Sequence, residues 1–175
     1  MAMPSEQLVS TLASDNEQQE ESKQFLTFLL GGEIYGVDIL KVQEIKGWTP
    51  VTAIPNAPEY IKGVLNLRGE IVSIFDVRIL FNLSKVEYNT TTVIIILTVN
   101  SADRERTIGL VVDAVWDVVN IVEEQMKPAP DFGENMSAHF ISNLAIVEDN
   151  NLLLLDADRF ISTTELSECT SPDSH

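Results

Sequence analysis

Several residue types are scarce in this sequence, and each shortage excludes a class of function. There is one cysteine, Cys169, so no internal disulfide can form, and no histidine or second cysteine stands near it at metal-ligand spacing. The two histidines are His139, in a loop-like stretch, and the last residue, His175. The GxSxG, HExxH, phosphate-loop and paired-cysteine patterns of common catalytic sites are all missing. Asp156 and Asp158 are the one pair that suggests a metal, and a repeat described below assigns Asp156 to a helix cap instead. The expectation is no catalytic residue, no metal and no cofactor. No apolar run approaches the roughly 20 residues of a membrane-spanning helix, and the longest, Val93 to Val99 (VIIILTV), is of strand length. The opening MAMPSEQLVSTLASDNEQQEE has neither a basic start nor a signal-length apolar stretch, which predicts a cytoplasmic protein. Basic residues are outnumbered, with 11 Lys and Arg against 27 Asp and Glu for a net charge of −16. Even without the acidic ends the middle of the chain is acidic enough to repel phosphate backbones, so nucleic acid is a poor partner. Solubility accounts for most of that charge.

What is present reads as an all-β domain between two polar tails. Residues 1–22 and 167–175 hold few large apolar side chains and are expected to be disordered, leaving a folded region at 23–166. Short apolar segments there alternate with turn residues. The expected strands are Gln24–Leu30, Ile34–Val37, Val42–Gly47, Gly63–Leu67, Ile71–Asp76, Val93–Val99, Thr107–Val112, Ala114–Ile121, Leu144–Glu148 and Asn151–Leu155. Gly31-Gly32, Arg68-Gly69 and Asp149-Asn150 mark tight turns. Helix is limited to connectors: a turn at Asp38–Lys41, one or two turns at Val77–Phe81 after Asp76, another at Glu123–Met126, and Ala157–Ile161 after Asp156.

An internal repeat organises these segments. Ile61–Phe81 (IKGVLNLRGEIVSIFDVRILF) aligns without gaps on Ile141–Ile161 (ISNLAIVEDNNLLLLDADRFI), a shift of 80 residues. Asp76 falls on Asp156, each placed to cap a short helix. A weaker match sets Tyr35-Gly36-Val37-Asp38 on Leu110-Val111-Val112-Asp113. Two copies of one small β unit are expected, roughly 23–85 and 86–166, with strands free to exchange between them. Units of that size close into barrels and bury enough apolar surface only by packing together. Between the copies, Gly63 becomes Asn143, and Arg68-Gly69 becomes Glu148-Asp149, a reversal of charge. Arg68 is an ordinary turn residue unless it has a partner to meet.

At this point the residues resemble a known family. QFLTFLLGGEIYGVDILKVQEI at 24–45 and PNAPEYIKGVLNLRGEIVSIFDVR at 55–78 are similar to the first half of the CheW chemotaxis coupling proteins. GLVVDAVWDVVNI at 109–121, PAP at 128–130 and LLLLD at 152–156 resemble the second half. The resemblance implies two packed five-stranded SH3-like barrels and a non-enzymatic adaptor. It implies two partners: the cytoplasmic hairpin tip of chemoreceptors and the regulatory domain of the histidine kinase CheA. The membrane would be reached only through the receptors, as a cytoplasmic protein recruited to their arrays. It carries receptor contact onto Val42, Glu44, Gly63, Asn66 and Arg68, and kinase contact only onto barrel-end strands and loops. Ser73 stands where the family often has proline, and Ser142-Asn143 where a Thr-Gly pair is common.

The residues themselves suit such a role. A helical tip docks in an apolar trough with a few placed polar groups. Val42, Val64 and Leu67 can line the trough, although core packing competes as a reading, more strongly for Val64 than for Val42. Glu44 and Arg68 lie in strands the repeat makes neighbours and can pair across it. The competing classes are an enzyme, which lacks its residues, and another small-barrel module such as a nucleic-acid reader, which lacks a basic aromatic face. A coupling protein fused to a receiver domain is the third, and the sequence stops too soon for a receiver. Trp48 and Trp116 stay unassigned.

Overall fold

The computed structural model describes residues 22–83, 86–101, 104–129 and 139–160. The expected tails, apart from Ser22, lie outside the described residues, as do Cys169 and His175. Eleven strands form among them: β1 (Lys23–Leu30), β2 (Glu33–Asp38), β3 (Val42–Gly47), β4 (Ile61–Leu67), β5 (Glu70–Asp76), β6 (Val93–Ser101), β7 (Arg104–Val112), β8 (Ala114–Ile121), β9 (Met126–Pro128), β10 (Ile141–Val147) and β11 (Asn150–Leu155). Ten overlap the expected strands. β9 is additional: the helical turn stops at Gln125, and Met126–Pro128 is extended and pairs with β10. A short rim strand tolerates Pro128, which has no amide to donate. The turns before β5 and β11 are alike, with positive φ at Arg68 and Gly69 and at Glu148 and Asp149. The second turn is thus one residue earlier than the expected Asp149-Asn150.

Two sheets result, in the orders β8-β1-β2-β11-β10-β9 and β3-β6-β7-β5-β4. Setting β9 aside, the two orders are copies of one another. Every neighbouring pair is antiparallel except β2 with β11 and β5 with β7. The register breaks match as well, at Thr27/Phe28 and Val42/Glu44, and at Ile61/Gly63 and Ile141/Asn143. Each sheet curls shut. In the first, here barrel A, β9 follows β8 and pairs with the far edge at β10. In the second, barrel B, the chain after β3 reaches the far edge through a bridge from Thr52 to Val64. These are two small SH3-like barrels. Both draw on both halves of the chain, so a division near residue 85 does not separate the sheets.

The registers also correct the weaker repeat match. Gly36 faces Leu154 in one parallel pair and Gly109 faces Ile74 in the other. Leu154 and Ile74 are related by the 80-residue shift, so Gly36 corresponds to Gly109 and not to Val111. A slip of two residues keeps every inward side chain inward, which is why the apolar pattern did not expose it. Space decides it. A Cβ on Gly109 would lie 2.7 Å from Ile74 and 2.8 Å from Ile94, and one on Gly36 would lie 3.1 Å from Leu154.

Three clusters make the core. Phe25, Ile121, Ala145, Leu152 and Leu154 fill barrel A, while Val72, Ile74, Ile94, Ile96 and Val111 fill barrel B. The largest lies between the barrels and takes Leu26, Phe28, Tyr35, Ile95, Leu97, Leu110, Phe140 and Phe160 among others. β6 shows the division: Ile94 and Ile96 turn into barrel B, Ile95, Leu97 and Val99 into the shared core. Burial on both faces explains its unbroken apolar run.

One buried charge network lies at this junction. Asp76 caps the one-turn helix α1 (Val77–Leu80) by accepting the Arg78 amide at 3.0 Å. The Arg78 guanidinium is itself buried. Its Nε and Nη2 donate to the two Asp76 oxygens at 2.9 Å each, and Nη1 donates to Asp113 at 2.9 Å and to the Glu87 carbonyl at 2.6 Å. The other Asp113 oxygen accepts the Gly31 amide of the β1–β2 turn at 2.8 Å, joining the barrels. Burial pushes the guanidinium pKa down, but hydrogen bonds and charge from Asp76 and Asp113 outweigh it, and the net shift is upward. Tyr88 donates to Asp76 and lies beneath Arg78. Burial first, then the bond to Asp76, holds its phenol above the ordinary value, and burial with nearby Glu33 raises that of Tyr35.

A raised phenol pKa sets a sign. The unfolded chain loses these protons first, near pH ~10, so their stabilisation is complete below that pH and is lost as pH rises toward the folded values. Stability is therefore expected to fall above pH ~10. Ultraviolet titration should show Tyr35 and Tyr88, assigned by Tyr→Phe variants, ionising late. Ionisation at the free-tyrosine midpoint in a folded protein would contradict their burial.

Candidate protein-binding site

The residues proposed for receptor contact are carried by β3, β4 and the turn after β4. These strands are not hydrogen-bonded neighbours, as the repeat suggested, but the opposite edges of barrel B. Curling brings them together. Arg68 Nη2 lies 3.2 Å from Glu44 Oε2 across the seam, with Arg68 three-quarters exposed and Glu44 one-quarter. The contact lacks hydrogen-bond alignment, and Oε2, although shielded from solvent, accepts no hydrogen bond among the described residues. Such a pair contributes only about 0–1 kcal/mol to stability.

Asn66 is exposed, and its Oδ1 accepts the Gly69 amide at 2.9 Å, which fixes the turn that presents Arg68. Gly63 has a backbone reason of its own. Its φ is 146°, and a Cβ there would sit 2.0 Å from the Thr52 carbonyl oxygen. That approach is the bridge that closes the barrel, with hydrogen bonds of 3.0 and 2.8 Å between Thr52 and Val64. Asn143, its counterpart, has no positive φ, so the two copies differ in backbone at this position. Gly63→Ala is expected to destabilise the domain by about 2 kcal/mol or more, as overpacking and backbone strain combine. Denaturant unfolding measures this, and an unchanged midpoint would show that the seam is loose.

The trough differs from expectation. Val42 packs against the shared core and Leu67 into barrel B, whereas Val64 belongs to none of the three clusters. The order expected for Val42 and Val64 is thus reversed. Leu65 and Leu67 take the inward positions of β4, so Val64 alternates to the outer face with Asn66. Around the seam, Ile45 and Ile54 are also exposed apolar groups that sequence reasoning passed over. Their signal was available, since Ile45 alternates out of phase with Val42 and Glu44 across the register break. Trp48 packs on Tyr88 with ring centroids 4.5 Å apart, whereas Trp116 is half exposed. Asp156 caps as expected, accepting the Asp158 amide at 3.1 Å. Asp158 takes Lys41 at 3.1 Å and the Asn100 amide at 2.9 Å, so the two do not form a metal pair.

A sequence model of the CheW-like domain matches residues 24–165. This chain belongs to the CheW-like family. A chemotaxis protein CheW of Klebsiella aerogenes is 43% identical over 159 residues, covering 91% of both chains. A probable chemotaxis protein CheW of Rhizobium etli is 31% identical over 143 residues, covering 82% of this chain and 90% of the relative. The crystal structure of the scaffolding protein TtCheW from Thermoanaerobacter tengcongensis superposes with a TM-score of 0.70 at 31% identity, covering 77% of this CheW-like chain and 88% of that one. No helix among the described residues is long and apolar enough to cross a membrane.

Proposed function

We propose that this CheW-like protein is a non-enzymatic chemotaxis adaptor that couples chemoreceptors to the histidine kinase CheA. Its receptor site is the closed seam of barrel B, and it works in the cytoplasm beneath receptor arrays. Family membership over nearly the whole folded region supports the role. The observation that carries the site is the Glu44–Arg68 contact, which sets opposite charges on the rim of an apolar seam. An exposed pair adds little to folding, so its use is to orient and select a partner helix. Val64 supplies the apolar contact, Asn66 holds the turn, and Gly63 and Val42 keep β4 and β3 in place. The kinase regulatory domain binds elsewhere on the barrel ends, so both partners can be held at once.

Co-sedimentation of the purified protein with a receptor cytoplasmic fragment and the kinase tests the role. A ternary complex is expected. If receptor and kinase exclude one another, or neither is retained, the coupling role fails.

A further inference from the structure

We infer that the mouth of barrel A is a second docking site, for a protein segment that presents an arginine or lysine among apolar side chains. The matching registers place each residue of the barrel B seam on a partner in barrel A. Glu44 pairs with Ile96 and Asp117 with Thr27, and Ile96 and Thr27 pair in turn with the corresponding glycines 109 and 36. Glu44 therefore corresponds to Asp117, and Arg68 to Glu148. In barrel B those positions carry opposite charges in contact. In barrel A both are acidic, so no ion pair can form between them, and both line a hollow of about 100 Å³.

Its surroundings define the occupant. Asp117 and Glu148 line the hollow together with Trp116 and Val147, and buried Thr27 lies against it where barrel B has Ile96. Val118 and Ile146, on the strands that carry these residues, are exposed apolar groups outside the hollow. No described residue places a cation on either carboxylate. Two carboxylates beside a half-exposed indole suit one cationic side chain, whose stem lies on Trp116 and Val147 while its head replaces the missing Arg68. Flanking apolar residues of the same segment cover Val118 and Ile146. This site stands on the registers and charges alone and does not depend on the receptor reading.

The test uses a soluble helical peptide of about 15 residues, long enough to hold helix, with leucines and one arginine on a single face. A control peptide carries glutamine in place of arginine. Binding is read by nuclear magnetic resonance at the Trp116 indole, with the Trp48 indole as internal reference. The arginine peptide is expected to shift Trp116, with the control at least tenfold weaker. Glu148→Arg restores an ion pair with Asp117 and should abolish the shift, and Glu148→Gln should weaken it while the remaining spectrum shows an intact fold. Equal binding of both peptides, an unmoved Trp116, or undiminished binding to Glu148→Arg overturns the proposal. So does a Trp116 signal that shifts with protein concentration alone, which would make a second copy the occupant.

Discussion

Arg68→Glu is expected to weaken binding to the receptor fragment about tenfold or more, since a mispaired charge at a half-buried interface costs over about 1.4 kcal/mol. The substitution sets like charge beside Glu44, one of whose oxygens is already shielded from solvent without a hydrogen bond. The fold should scarcely respond. Arg68 is largely exposed and the turn is held by Asn66 and Gly69, so stability should change by about half a kcal/mol or less. Kinase binding should persist, giving a protein that holds the kinase and fails to couple it. Glu148→Arg is the control, because it reverses the matching charge in the other barrel and should leave receptor affinity unchanged. Equal losses in both variants, or none in either, would remove Arg68 from the site.

Arg78→Met is expected to have the opposite profile, a large loss of stability. It leaves Asp76 fully buried without its guanidinium and cuts the link through Asp113 to the β1–β2 turn. Removing one partner of a buried ion pair typically costs about 3–5 kcal/mol. In a domain of this size that lowers the melting midpoint by about 6–20 °C. Adding Asp76→Asn, which keeps acceptors for the helix cap and the tyrosine but removes the charge, should recover part of the loss. Calorimetry of the single and double variants decides it. A single variant within about 1 kcal/mol of the parent would mean that the network is solvated and not buried.

The sequence announced most strands and turns because alternation and glycine placement are local signals. The 80-residue repeat was equally plain, and with it the two caps at Asp76 and Asp156. Which strands share a barrel was not legible, because pairing partners such as β2 and β11 are far apart in the chain and both are simply apolar. Arg78 escaped notice for a related reason. In FDVRILF it reads as the polar face of a short helix, and its burial follows only from Asp113 and Glu87 arriving from elsewhere. At the proposed site, opposite charge at Glu44 and Arg68 was readable from the break in the repeat. The placement of Val42 was not, since the shared core it packs against is assembled from strands far apart in the chain.

The strand orders have a consequence for how the chain comes off the ribosome. Barrel B is one continuous stretch from β3 to β7, inserted between the first two and the last four strands of barrel A. Its sheet can be assembled while the C-terminal third is still unmade. Among the described strands the β1–β2 hairpin is synthesised first, yet its parallel neighbour β11 comes last. At about 5–20 residues per second the apolar faces of that hairpin wait several seconds for cover. Phe140, Leu155 and Phe160, which fill the core between the barrels, arrive in that final segment. The two barrels are therefore joined only once residues 140–160 have been made, and a nascent chain stalled before residue 140 would carry an open seam between its two halves.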